Sequence, residues 1–266
     1  MDSRHATAPD QLTGMDTEHL RRRFLVEDLF APGEVRLTYS HEDRMVVGGS
    51  AGVTELPAPD ELRSAYFLER RELGVVNLGQ TGTVTVDGAR FDLAAQEVLY
   101  IGRGARRVSF DGRFYLVSTP AHASHPTVKA TLDDAEPVRL GSPEGSNERT
   151  IYKYIHAKGV QSAQLVLGVT VLAPGSMWNT MPCHTHERRT EVYFYFGLPE
   201  SERVVHLMGR PDQTRNLIVA PEQAVISPRW SVHCGFGTRS YAFVWAMGGE
   251  NQAYEDVEPV AIGELR

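Results

Sequence analysis

Cysteine is nearly absent. The chain of 266 residues has two, Cys183 and Cys234, which excludes a disulfide-stapled scaffold and fits a reducing compartment. Long apolar runs are missing too. None approaches the roughly 20 residues that a helix needs to cross a bilayer, and no apolar stretch follows Met1-Asp2-Ser3-Arg4-His5 as a secretory leader would require. These absences predict a cytoplasmic protein without membrane contact. Nor is there a long block of lysine and arginine. At a net charge of −7 the chain offers no general footprint for nucleic acid or anionic lipid. The Arg21-Arg22-Arg23 cluster is too short to alter that and fits the solvated face of a helix.

What is present leans toward β-structure with many turns, including 24 Gly and 15 Pro. The length admits one large domain or two of common size. An amphipathic stretch over 20–30 predicts a helix, capped by Asp16 or Thr17 and ended by Pro32-Gly33. Strand-like runs follow at 34–40 and 45–48. Short strands are then predicted at 75–78, 83–86, 90–93, 98–101, 107–110 and 114–118, with Asp87-Gly88 as a two-residue hairpin signal. Residues 121–150 read as a linker. The second half repeats the pattern at 163–171, 191–196, 204–208, 217–219, 224–226 and 241–245. Regularly spaced short strands indicate an all-β sandwich or barrel. Glu69-Arg70-Arg71-Glu72 recurs as Glu187-Arg188-Arg189-Thr190-Glu191, an internal echo that suggests duplication.

The chemistry concentrates in the second copy. In Cys183-His184-Thr185-His186-Glu187-Arg188-Arg189-Thr190-Glu191 the two histidines share a strand face. Glu191 has the opposite parity and can join them only if the chain turns or bulges across 187–190. His233, in Pro228-Arg229-Trp230-Ser231-Val232-His233, is the best fourth ligand. Three imidazoles and one carboxylate suit a borderline divalent ion such as Zn, Mn, Fe, Co or Ni. On strands, Cys183 and Cys234 would point away from that ion and act as small buried hydrophobes. The first copy has Ala65 and Phe67 where the histidine pair would fall, and Arg107 in place of the third histidine. It is expected to be a metal-free barrel.

This spacing resembles the metal motif of the cupin superfamily, with three departures. Trp230 stands where the family usually has Gly, Gly175 lies nine residues before His184, and Gly197 closes the motif one residue early. Longer segments are similar to the 5-keto-4-deoxyuronate isomerase family: Tyr66-Phe67-Leu68-Glu69-Arg70-Arg71-Glu72-Leu73-Gly74-Val75, Trp178-Asn179-Thr180-Met181-Pro182-Cys183-His184-Thr185-His186, and Gly249-Glu250-Asn251-Gln252. The likeness runs from about residue 15 to the C-terminus. It implies an all-β tandem cupin, with residues 1–63 completing the barrels, 64–125 forming a metal-free cupin and 126–266 a metal-binding one. It also implies a homo-hexamer with one divalent metal per chain, zinc, on His184, His186, Glu191 and His233.

The implied reaction is the aldose–ketose conversion of 5-dehydro-4-deoxy-D-glucuronate to 3-deoxy-D-glycero-2,5-hexodiulosonate in uronate breakdown. Such a reaction needs a Lewis acid and a proton shuttle between C1 and C2. Lys153, Tyr193, Glu250 and His206 are the candidate shuttles. Arg188, Arg189 and Lys153 are candidates to hold the substrate carboxylate, and Trp178, Met181 and Trp245 to wall the pocket. Two other readings use the same fold: another metal-dependent cupin enzyme such as an iron dioxygenase, and a non-catalytic sugar-binding or regulatory cupin.

Overall fold

The computed structural model describes all 266 residues. Asp87 and Gly88 both take positive φ, 48° and 89°. They join Gly82–Val86 to Ala89–Leu93 as a tight hairpin, with Val86 opposite Ala89. Strands carry most of the regular structure, beside one α-helix and four 3-10 turns. The helix is Thr17–Phe24, and the Asp16 carboxylate caps it by accepting from the His19 N–H at 2.7 Å. It stops well short of Pro32, a correction to the helix expected over 20–30. Leu25–Val26 instead pairs with Ala224 and Val225 as an edge strand, where both side chains are buried.

Two strand systems follow. The first sheet runs Asp2–Arg4, Val35–Ser40, Val46–Glu55, Val108–Pro120, Arg71–Asn77, Val98–Ile101, Val128–Ala130, with the hairpin joined to Val108–Pro120. The strands expected at 107–110 and 114–118 are thus one, turning at Gly112 with φ 147°. The second system is a seven-stranded sheet, Val138–Leu140, Arg149–Ile155, Val166–Leu172, Ala242–Gly249, Arg189–Phe196, Gln223–Ser227, Leu25–Val26. Against it packs a four-stranded sheet, Trp178–Asn179, Val232–Gly237, Val204–Arg210, Gln213–Val219. The stretch expected to be a linker, 121–150, contributes Val128–Ala130 to the first sheet and Val138–Leu140 to the second.

Side-chain alternation sorts the apolar residues into three cores. Leu73, Val75, Phe110 and Leu116 fill the first barrel. Tyr193, Tyr195, Phe243 and Met208 belong to the interior of the second. The opposite faces of the same strands, with Val76, Tyr115 and Val117 from the first half and Leu167, Phe194 and Val244 from the second, pack on each other in the largest core. There the Tyr115 and Phe194 rings stack at 4.3 Å. Gly74 permits this approach, since a Cβ at that position would lie 2.8 Å from Leu167 Cδ1.

Glu72, the counterpart of Glu191 in the internal echo, is fully buried and ties the two halves together. Its carboxylate accepts from the backbone N–H groups of Ala163, Gln164 and Leu165 at 2.6–2.9 Å. The Tyr100 hydroxyl (2.6 Å) and the Thr119 hydroxyl (2.9 Å) donate to it as well. Phe67 packs in the first core, and Arg107 lies at the surface beside Glu55.

Candidate metal centre

His184–Thr185 is a short strand, and the chain then reverses, with the Arg189 N–H donating to the His186 carbonyl at 3.2 Å. This is the turn that Glu191 needed, and it brings the carboxylate back beside the imidazoles. A second turn, Ser231 N–H to the Pro228 carbonyl at 2.8 Å, leads into Val232–Gly237 and delivers His233. Trp230 in that turn has no positive φ, so the glycine usual at this place is dispensable here. Its indole N–H donates to the Thr7 carbonyl at 3.0 Å.

The ligand atoms of His184, His186, Glu191 and His233 all lie within 4.8 Å of one another. His184 Nε2 is 3.1 Å from both His186 Nε2 and His233 Nε2. Glu191 Oε2 is 2.9 Å from His186 Nε2 and 2.6 Å from His233 Nε2. The four ligand atoms thus converge on one point, as a single divalent ion requires. The outer contacts suit that role: His186 Nδ1–H donates to the Asp256 carbonyl (3.1 Å) and His233 Nδ1–H to the Ser231 carbonyl (3.2 Å), which turns each Nε2 lone pair inward. Burial pushes the Glu191 carboxyl upward, but the adjoining imidazoles of His233 and His186 outweigh it and hold the group ionised. Burial, with His233 adding to it, lowers His184 to about 3, so its imidazole is neutral and ready to ligate.

Three of the four, His184, His186 and Glu191, line a cavity of about 430 Å³. Met181 and Trp245, expected as walls, line it, and so does Tyr193, a candidate shuttle. The Trp245 ring lies over Gly168, where a Cβ would collide with it, and its N–H donates to Thr170 Oγ1 at 3.1 Å. The Tyr193 hydroxyl is 3.1 Å from Thr180 Oγ1, and burial, with Glu191 adding to it, keeps that phenol protonated. The Lys153 ammonium sits 5.0 Å from the centre of the Tyr254 ring, itself a wall of the cavity.

Other candidates lie outside the lining. Glu250 is exposed, and Trp178 packs against Phe236 with ring centres 4.6 Å apart. His206 is buried with Nδ1 2.8 Å from the Tyr195 hydroxyl. Arg188 pairs with Asp256 and Glu258. Arg189, fully buried, donates to the carbonyls of Ala253 (2.8 Å) and Asp256 (2.7 Å). The two arginines clamp the segment 251–258, which brings Tyr254 and Glu255 into the cavity. Sequence reasoning passed over Arg149, Tyr254 and Glu255, which carry no local motif.

Two stacked strand systems, one with a buried His₃Glu cluster at the base of a cavity, define a tandem cupin with a candidate metal centre. Solved structures share the fold. An IolB-like protein from Salmonella typhimurium superposes with a TM-score of 0.71 at 13% identity, covering 87% of this chain and 95% of its own. An oxalate decarboxylase from Lactobacillus farciminis gives 0.60 at 10% identity, covering 91% and 89%. The chain belongs to the KduI/IolB family, whose profile matches residues 24–259. Proteins named 4-deoxy-L-threo-5-hexosulose-uronate ketol-isomerase are similar to it over the full length of both chains, at 53% identity in Kineococcus radiotolerans and 50% in Halalkalibacterium halodurans. Such relatives make the chain an enzyme of the ketol-isomerase kind, an intramolecular oxidoreductase.

Proposed function

We propose that the cavity isomerises 5-dehydro-4-deoxy-D-glucuronate, the compound in the relatives' name, to 3-deoxy-D-glycero-2,5-hexodiulosonate with one divalent ion, zinc, per chain. The observation that carries this is the buried cluster of His184, His186, Glu191 and His233 facing the cavity of a chain about half identical to such enzymes throughout its length. When bound there, the ion supplies Lewis acidity toward the sugar's carbonyl and neighbouring hydroxyl. Tyr193 supplies a protonated hydroxyl beside those ligands, suited to hydrogen-bond a developing oxyanion. Glu191 is committed to two imidazoles. Glu255 is the other carboxylate lining the cavity, so proton transfer between C1 and C2 is assigned to it, while Lys153 lies against the Tyr254 wall. Met181, Phe243, Trp245 and Met247 limit water around the reacting carbons. The metal-free first half acts as an architectural wall, and the working assembly is a cytoplasmic homo-hexamer.

The test is direct. Metal-loaded protein mixed with the unsaturated-uronate breakdown product should convert it to the 2,5-diketo acid, followed by NMR without oxygen consumption. Failure to convert it, or consumption of dioxygen, refutes the reading. In deuterated water, proton transfer places solvent deuterium on the product's hydroxymethyl carbon, which is the aldehyde carbon C1 of the substrate. Complete retention of the substrate's own hydrogen, with Glu255→Gln fully active, overturns the assignment of the shuttle.

A further inference from the structure

An acid sugar needs a cation to hold its carboxylate, and the arginines beside the metal motif are already engaged. Arg188 is paired with two carboxylates, and Arg189 is spent on backbone carbonyls. One cationic side chain lines the cavity itself: Arg149, at the start of the Arg149–Ile155 strand. Ile151 lies on the same strand face and Leu140 is paired across from it. Nη1 donates to the Asn147 carbonyl at 2.9 Å, which steadies one edge of the guanidinium. The remaining N–H groups have no hydrogen-bond partner, and no carboxylate lies within ion-pairing distance of Arg149.

We infer that Arg149 is the anchor for the substrate's terminal carboxylate and sets the enzyme's preference for acid sugars over neutral ones. The inference rests on the isomerase reading above and adds a specificity-determining residue to it. One cavity is lined both by His184, His186 and Glu191 of the oxygen-binding cluster and by Arg149, with Ile151, Phe243, Trp245 and Met247 as apolar wall. An open-chain sugar with a carbonyl at one end and a carboxylate at the other matches that polarity. Planar guanidinium donors meet a carboxylate side by side, and an apolar surround strengthens the pairing. A carboxylate remote from the reacting carbons is held equally in ground and transition states, so its loss falls on KM and leaves kcat largely unchanged.

The experiment compares wild type, Arg149→Met and Arg149→Lys, all metal-loaded and matched in thermal melting. On the uronate, Arg149→Met should raise KM on the order of 100-fold with kcat within a few-fold, and Arg149→Lys should recover part of the loss. Calorimetry with D-glucuronate and D-glucose supplies a second readout: wild type should favour the acid, and Arg149→Met should not. An unchanged KM in Arg149→Met overturns the anchor while leaving the isomerase reading intact. An acid preference that is absent in wild type, or that persists in Arg149→Met, overturns it as well. Wild type that cannot turn over the uronate, yet shows an Arg149-dependent preference for the acid, refutes the isomerase reading and retains the anchor.

Discussion

His206 shows what burial does to one side chain. It is fully enclosed, its Nδ1 engages the Tyr195 hydroxyl, and its Nε2 has no partner. Burial, with the charge of His233 adding to it, lowers the imidazole to about 3. An unfolded chain binds that proton near the ordinary value of about 6.5, whereas the folded chain waits until about 3. The folded state is therefore penalised as pH falls through this window, by up to about 1.4 kcal/mol per pH unit, and is untouched by this residue above it. In metal-free protein, His206→Gln should flatten the dependence of denaturation free energy on pH between about 6 and 4. A slope equal to that of wild type would refute the assignment. The ligands give a second expectation at this scale. Elemental analysis should find about one metal per chain, and the His184→Ala, His186→Ala double variant should lose it; full occupancy in that variant would sink the site. These ligands were legible in the sequence because short-range spacing encodes them. Arg149 and Glu255 were not, since only closure of the sheet and the 251–258 segment brings them to the cavity.

Among the elements, residues 251–257 are held by side chains, ahead of the Glu258–Pro259 strand that pairs with His184–Thr185. Arg189 grips carbonyls of 251–257, Arg188 and Asn251 bind the Asp256 carboxylate, and the Asp256 carbonyl in turn accepts from His186 Nδ1–H. Arg189→Met should therefore speed amide exchange across 251–257 and lower metal affinity or turnover by about 10–100-fold. Exchange and affinity matching wild type would show that the clamp does not act on the ligand. Strand identity in this region was harder to read than strand chemistry. Arg149–Ile155 was missed because Arg149 lines a cavity and Lys153 lies against its Tyr254 wall, while Tyr154 packs between the sheets. Polar residues facing an internal cavity imitate a solvent face, and the apolar–polar alternation then loses its meaning. Leu25 and Val26 misled in the opposite sense, continuing a helical pattern while filling a sheet edge.

The two halves share the largest core, which predicts that they unfold together, and Glu72 supplies the test. Its carboxylate satisfies three backbone N–H groups of 163–165 and two hydroxyls, all from a buried position. Glu72→Ala leaves those donors unpaired at about 1–3 kcal/mol each. The variant should melt well below wild type in a single transition, with both halves lost together. Two separated transitions would show that the halves unfold independently. The internal echo made the duplication legible, with Glu72 opposite Glu191, but not this new use of the carboxylate. It depends on a loop about ninety residues away in the chain, at Ala163 to Leu165.

The strand Arg189–Phe196 is enclosed on both faces, with Glu191, Tyr193 and Tyr195 turned into the second barrel and Val192 and Phe194 turned against the first half. For protein engineering this makes the duplicated half indispensable ballast. Cutting the chain near its middle would strip Phe194 of its Tyr115 partner and leave the liganding strand with one face in water. A shortened catalyst would first have to replace that lost wall with a polar surface, or borrow the missing lining from a sister molecule.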